Sequence, residues 1–172
     1  PSSSGKTTFS KRLAIQLLAY GISPFAMELD NYFVCREATP LDENGEYDFE
    51  SLQALDIGLL EENLTTLTRG QEVQLPHFDF RKGRSSPGEV VKLSADELII
   101  LEGIHGLNPN LLPHVPEDNT FRIYISCLTQ LNLDRHNRIS TTDTRLIRRI
   151  VRDARERGYT AADTIGRWES VR

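Results

Sequence analysis

The first nine residues, PSSSGKTTF, combine the residue types that bind a phosphate chain. Gly5 lets the backbone approach a phosphate closely, Lys6 supplies a point charge for the β and γ oxygens, and Thr7 offers a hydroxyl to Mg²⁺. The other polar residues of the stretch complete the predicted nucleotide site: Ser2, Ser3, Ser4 and Thr8. The spacing matches the end of a phosphate-binding loop (P-loop), and it predicts ATP and Mg²⁺ as cofactors.

In the complete motif a glycine precedes the four spacer residues, and a buried strand precedes that glycine. Both would lie before Pro1, so we expect the domain to begin upstream with a short β-branched strand that ends in glycine. The alternative is a Ser- and Gly-rich cap on an ordinary helix. The helical pattern from Lys6 to Tyr20, closed by Gly21, favours the phosphate loop because it places a helix N-terminus at the phosphate.

Two short apolar runs each end in a carboxylate: SPFAMELD at Asp30 and DELIILE at Glu102. The carboxyl ends of buried parallel strands face the ligand in α/β sheets. Asp30 is therefore predicted to be a general base beside the phosphates, and Glu102 to orient Mg²⁺ and its water. The alternative for Asp30 is a plain strand-end or helix N-cap residue. His105 is interpreted as an ordinary loop histidine.

Arginine is the only strong cation between residues 135 and 157, where no lysine occurs. Its planar guanidinium binds phosphate through two parallel hydrogen bonds. Four of these arginines follow helical spacing and predict a lid over a triphosphate: Arg145, Arg148, Arg149 and Arg152. The alternative is a solvated surface helix.

The remaining segments predict the elements that position these groups. ESLQALDIGLLEENLTTLTRG is typical of an amphipathic core helix, EVQLPHFDF and GEVVKLS of a hairpin, and FRIYIS of a further strand. The polar stretch from Asn31 to Phe49 predicts a flap or a substrate-binding loop. Together they predict one α/β domain over residues 1–172, with a P-loop NTPase-type three-layer fold, a mainly parallel sheet, a small hairpin excursion and an Arg-rich helical lid.

Composition excludes several classes of protein. The chain has 172 residues, 38% of them hydrophobic, which suits one well-packed domain, and its net charge of -5 argues against a nucleic-acid or membrane-surface binder. No apolar run approaches the length of a membrane span. Cys35 and Cys127 are predicted to be buried or half-buried free thiols in a reducing cytoplasm. Trp168 predicts core packing, with a place near adenine as the alternative.

The ordered set of motifs resembles the uridine kinase-like branch of the P-loop nucleoside kinases, which is related to phosphoribulokinase. The stretches that carry the resemblance are PSSSGKTTF, LDNYF, YDF, LPHFDF, LEGI and TRLIRRIVRDARERG. The resemblance implies that Asp30 accepts the proton of a sugar 5'-hydroxyl, that Asp48 holds ribose hydroxyls and that Arg145 contacts the nucleoside. It also implies that Arg148, Arg149 and Arg152 contact the phosphates, and that Glu102 lies at the metal.

Two departures bear on the acceptor. Uridine kinases read the base with a tyrosine and a histidine, whereas the matching positions here are Phe78, which can stack on a base, and Gly83. His77 could replace the missing donor. The stretch CLTQLNLDRHNRISTTD, residues 127–143, resembles an insertion found in a subgroup of longer proteins.

The expected partner is a small-molecule acceptor, with a nucleoside favoured and homo-oligomerisation left open. Rival interpretations are a kinase for a sugar phosphate or pantothenate, and an ATP-binding switch without phosphotransfer. An RNA-binding module is disfavoured by the overall acidity.

Overall fold

The computed structural model describes residues 3–94, 96–127, 132 and 134–171. They form two compact units, one of Thr7–Ile123 and one of Pro1–Lys6 with Tyr124–Arg172. The prediction of one domain over 1–172 stays a prediction.

The larger unit is an α/β structure. Its elements are most of α1 (Lys6–Ala19), then β1 (Pro24–Glu28), α2 (Ile57–Thr68), β2 (Glu72–Asp79), β3 (Arg84–Lys92) and β4 (Leu98–Glu102). Strands β1 and β4 pair in parallel, with Glu28 opposite Glu102, so both strands end at the same edge. Strands β2 and β3 form an antiparallel hairpin. The predicted parallel pairing and hairpin are confirmed.

The core of this unit joins β1, the segment after it, α2 and the hairpin. Its least exposed members include Met27, Leu29, Leu60, Leu67 and Phe78. Burial of a large apolar side chain contributes about 1.5–3 kcal/mol, so this core holds the two strand ends in place.

Helix α2 begins later than the apolar pattern predicts. The Asp56 side chain accepts a hydrogen bond from the Leu59 backbone N–H at 3.0 Å and caps the helix there. The preceding residues Leu52–Ala54 form a separate 3-10 turn, capped by Ser51. The prediction of one helix from residue 50 is therefore wrong at its start, because a good capping residue lies inside the pattern.

The smaller unit is helical where it is regular. It contains α3 (Thr141–Arg152), a π-helical turn (Asp153–Arg157), α4 (Ala161–Gly166) and α5 (Trp168–Val171). The Ser140 side chain caps α3 by accepting from the Asp143 N–H at 3.0 Å. Gly158, with φ 73°, ends the π-helical turn. The predicted arginine-rich helix is confirmed.

The predicted strand FRIYIS is wrong. Residues 121–127 are extended or irregular, with no ladder partner among the described residues. Phe121 and Tyr124 are 90% and 64% exposed. β-branched and aromatic composition indicates a strand only when a neighbouring strand takes up the backbone hydrogen bonds.

The described residues also bear on membrane spanning and on the state of the two cysteines. None of their helices is long and apolar enough to cross a bilayer. Both cysteines are free thiols, as predicted, but only Cys127 is buried, since Cys35 is exposed.

Candidate active site

The phosphate loop has the backbone shape that cradles an anion. Ser3 and Gly5 both have positive φ, 59° and 101°, and α1 begins at Lys6. Left-handed residues of this kind turn backbone N–H groups towards a common point, and the helix N-terminus adds partial positive charge. For the non-glycine Ser3 this conformation costs about 1–3 kcal/mol, which is typical of a functional turn.

Two side chains of the loop also need a ligand. The hydroxyl oxygens of Ser3 and Ser4 are buried without a hydrogen-bond partner among the described residues. An unsatisfied buried hydroxyl costs about 1–3 kcal/mol, and phosphate oxygens would satisfy both. The loop therefore fits a phosphate chain. Of the other predicted nucleotide contacts, Thr8 lies exposed on the first turn of α1, and Ser2 lies outside the described residues.

Arg148 is the arginine that lies at this loop. A Cβ atom on Gly5 would be 3.2 Å from Nη2 of Arg148. The guanidinium thus covers the glycine that leaves room for a phosphate, and the Arg148 side chain is otherwise exposed.

The other predicted arginines organise the lid helix itself. The buried Asp153 carboxylate is 3.3 Å from Nε of Arg149 and 2.8 Å from Nη2 of Arg152. The Arg145 guanidinium lies 5.2 Å from the ring centroid of Trp168, which is buried, as the packing interpretation predicts. Contact of these three arginines with a nucleotide or nucleoside stays a prediction.

The predicted metal residues meet in the larger unit. The Thr7 hydroxyl donates a hydrogen bond to Oε1 of Glu102, the last residue of β4. A hydroxyl and a carboxylate are oxygen ligands that suit Mg²⁺, which is usually held by one or two protein groups together with phosphates and waters. In the described part of the chain no three His, Cys, Asp or Glu side chains cluster as a metal site. The pair fits Mg²⁺ bound together with a nucleotide.

Asp30 lies in a 3-10 turn, Leu29–Tyr32, directly after β1. The turn is fixed by an unusually close approach to the end of β4. A Cβ atom on Gly103 would lie 2.6 Å from both Cβ and Cδ1 of Leu29. Leu29 is 1% exposed, so it has little room to move away.

We therefore expect Gly103→Ala to lower the free energy of unfolding by about 1–3 kcal/mol, as overpacked cores do. Turnover should fall as well, because relief of the clash displaces the turn that carries Asp30. Urea unfolding and initial rates measure the two effects. Gly106→Ala in the same loop is the matched control, since its Cβ would meet only a carbonyl oxygen of Gly103 at 3.7 Å. Equal stability of the two variants would contradict the packing argument.

His105, which the sequence indicated only as a loop histidine, interacts electrostatically with Asp30 and Asp48. Burial lowers its pKa below the usual value, although the carboxylates of Glu50, Asp48 and Asp30 and the backbone of Ser51 act to raise it. Asp48 accepts a hydrogen bond from the Glu50 N–H at 3.0 Å, which fixes the segment that faces the imidazole. No local pattern signals this cluster, because its members come from three separate segments.

Arg36 joins the segment after β1 to the turn of the β2–β3 hairpin, which the sequence did not indicate. We call this contact the Arg36–Gly83 clamp. The Arg36 N–H donates to the Gly83 carbonyl at 2.9 Å, and Nη2 donates to the Phe80 carbonyl at 2.9 Å. A Cβ atom on Gly83 would lie 2.7–2.9 Å from Nε, Cβ and Cζ of Arg36. Arg36 therefore fills the space that a side chain at position 83 would need.

The predicted stacking residue is enclosed by other rings. Phe78 is 3% exposed, and its ring centroid lies 5.6 Å from that of Phe33 and 5.1 Å from that of Phe80. Phe80 is the half-buried member of this trio. Contact of Phe78 with a base stays a prediction. His77 is exposed and lines a cleft of about 550 Å³ with Asn31 and Glu89.

The chain is similar to known proteins in sequence and in fold. The sequence profile of the Phosphoribulokinase / Uridine kinase family matches residues 1–172. A uridine kinase of Halalkalibacterium halodurans is 32% identical over 168 residues, which is 98% of this chain and 71% of that protein.

Two solved structures are also similar. A possible uridine kinase from Bacillus stearothermophilus superposes with a TM-score of 0.53 at 27% identity, over 65% of this chain and 61% of that one. A candidate fructose transport system kinase from Silicibacter gives a TM-score of 0.57 at 16% identity, over 97% and 74% of the two chains, and is similar in fold alone.

Proposed function

Because the chain belongs to the Phosphoribulokinase / Uridine kinase family, we propose that it transfers the γ-phosphate of ATP to the 5'-hydroxyl of a nucleoside of the uridine or cytidine type. The observation that carries this proposal is the Thr7–Glu102 hydrogen bond at the end of β4, beside the parallel strand β1 that Asp30 follows; Asp30 and Asp48 also act together on the charge of one imidazole in the same unit. Phosphoryl transfer to a sugar needs such a set: a carboxylate for the attacking hydroxyl, a second for the other hydroxyls, and oxygen ligands for the metal.

ATP with Mg²⁺ supplies the phosphoryl group and the charge that holds it. The loop residues Ser3, Ser4 and Lys6 bind the phosphate oxygens, and Thr7 and Glu102 hold the metal ion. These roles need little covalent chemistry, since phosphoryl transfer is mainly positioning and charge neutralisation.

The remaining groups act on the acceptor and on the developing charge. Asp30 orients the 5'-hydroxyl and accepts its proton late in the transfer. Asp48 holds ribose hydroxyls, and Arg148 neutralises charge on the transferred group. Water is excluded when the arginine-rich helix covers the phosphates, which suppresses hydrolysis.

A second candidate acceptor is a phosphorylated sugar, and Arg36 is the observation that favours it. One of its N–H groups is used on the Phe80 carbonyl, and a guanidinium has five. The remaining donors suit a phosphate group on the acceptor, which a guanidinium binds through two parallel hydrogen bonds. This candidate shares Asp30, Lys6 and Glu102 with the first.

The test is ADP release by the full-length protein with a panel of nucleosides and sugar phosphates. We expect ADP release to rise at least about tenfold over the rate with ATP alone when uridine or cytidine is added. A bound acceptor holds its hydroxyl in position to attack the γ-phosphate, whereas a water molecule is not held in this way. Stimulation by a sugar phosphate alone would favour the second candidate. If no compound of the panel changed the rate of ADP release, that result would contradict phosphotransfer and favour an ATP-binding switch.

A further inference from the structure

His105 carries a polar atom that the fold leaves unused. The residue follows β4 in the loop after Glu102 and its side chain is half-buried. Its Nε2 atom is fully buried and has no hydrogen-bond partner in the described part of the chain. A histidine kept only for structure normally has its buried nitrogens paired with protein or with ordered water, so this atom is available to a ligand.

The protonation state of the ring follows from its surroundings. Burial keeps the pKa of His105 below its usual value in spite of the three carboxylates that face it, so the imidazole is neutral near pH 7. A neutral imidazole has one donor and one acceptor nitrogen. The Ser51 backbone favours a proton on the ring nitrogen that faces it. With that proton on Nδ1, the unpaired Nε2 presents a lone pair.

The neighbours of the lone pair define what can occupy it. The loop of His105 packs against the turn of Asp30, since a Cβ atom on Gly103 would lie 2.6 Å from Leu29. Asp30, Asp48 and Glu50 act electrostatically on the ring, and each of them, when ionised, accepts hydrogen bonds and donates none. A group that satisfies Nε2 in these surroundings must donate, and it must be neutral or cationic. A sugar hydroxyl meets both demands, because it is neutral and donates one hydrogen bond. The other hydroxyls of the sugar can then donate to the carboxylates.

We propose that Nε2 of His105 accepts a hydrogen bond from a ring hydroxyl of the acceptor sugar, next to Asp30 and Asp48. This proposal rests on the proposed function, which requires a sugar at those two carboxylates. His105 is then a binding residue for the acceptor. Recognition of the sugar would depend on the neutral imidazole of His105 as well as on the charged carboxylates of Asp30 and Asp48.

The test uses three substitutions of His105 that keep a polar group at one ring nitrogen or at neither. In His105→Asn the amide nitrogen takes the place of Nδ1 and Nε2 is lost, whereas in His105→Gln the amide reaches the place of Nε2. His105→Phe keeps the ring without either nitrogen. Initial rates are measured for each variant with uridine, 2'-deoxyuridine and 3'-deoxyuridine, and thermal unfolding reports whether each variant is folded.

With uridine, His105→Asn should lower kcat/KM about 3- to 10-fold, the range for one neutral hydrogen bond, and it should act mainly through KM. With the deoxynucleoside that lacks the contacted hydroxyl, the same substitution should have almost no further effect. His105→Gln should recover part of the loss with uridine. Should His105→Phe not fold, the Asn and Gln variants still decide the question.

Two results would overturn the proposal. An equal loss of kcat/KM for uridine and for both deoxynucleosides would make His105 a structural residue only, and so would unchanged kinetics in His105→Asn. Wild-type protein that phosphorylates no nucleoside is a separate result, because it refutes the proposed function itself and removes the sugar on which this inference depends.

Discussion

Asp30→Asn should reduce turnover about 10²- to 10⁴-fold, the usual range for a positioned acid or base. The amide keeps the size of the carboxylate and most of its hydrogen bonding but cannot take up a proton. ATP affinity should hold or rise slightly, because the substitution removes one negative charge and ATP is an anion. Nucleotide titration and initial rates with the best acceptor measure the two quantities.

Asp48→Asn is the matched control for this prediction, since it is also a carboxylate that faces His105. It should raise the KM for the acceptor with a smaller loss of turnover, because its proposed role is to hold hydroxyls. An Asp30→Asn enzyme with normal turnover would refute the catalytic assignment, and with it the main reason for preferring a kinase to a switch.

Arg148→Ala is expected to lower turnover by about 10²-fold or more, by analogy with other donors that stabilise charge in transfer. The side chain is exposed, and its guanidinium lies at Gly5, so the melting temperature should stay within a degree or so of wild type. Arg155→Ala, which removes an exposed arginine from the π-helical turn, is the control for the loss of one positive charge.

Arg149→Ala separates chemistry from folding in the same helix. Arg149 is 7% exposed and its Nε lies 3.3 Å from the buried Asp153 carboxylate. Loss of this ion pair, which leaves the buried Asp153 carboxylate with fewer cationic partners, should lower the free energy of unfolding by about 1–3 kcal/mol, whether or not Arg149 also contacts phosphate. Normal turnover in the Arg148 variant would leave α3 as a surface helix.

The features predicted correctly from the sequence depend on neighbours in the chain. Asp30 and Glu102 could be placed at strand ends because the apolar runs that precede them are continuous, and the glycine and lysine of the phosphate loop directly precede the helix that they open. Even here the capping strength of Asp56 was missed, so α2 begins later than its leucine pattern predicts.

The features that were missed depend on contacts between distant segments. His105 was interpreted as an ordinary loop residue because nothing near it in sequence shows that Asp48 and Ser51 fold against it. FRIYIS has the composition of a strand, but composition does not provide a pairing partner. Arg36 gave no signal, since its importance comes from a glycine in another element.

The Arg36–Gly83 clamp also constrains which substitutions the hairpin turn can accept. A residue with a Cβ atom at position 83 would collide with Arg36 and adopt an unfavourable φ of +67°. One of these contacts is to Cβ of Arg36, so a histidine at position 83 requires the turn itself to shift as well as a smaller side chain at residue 36. Substitutions at the two positions should therefore show strong epistasis.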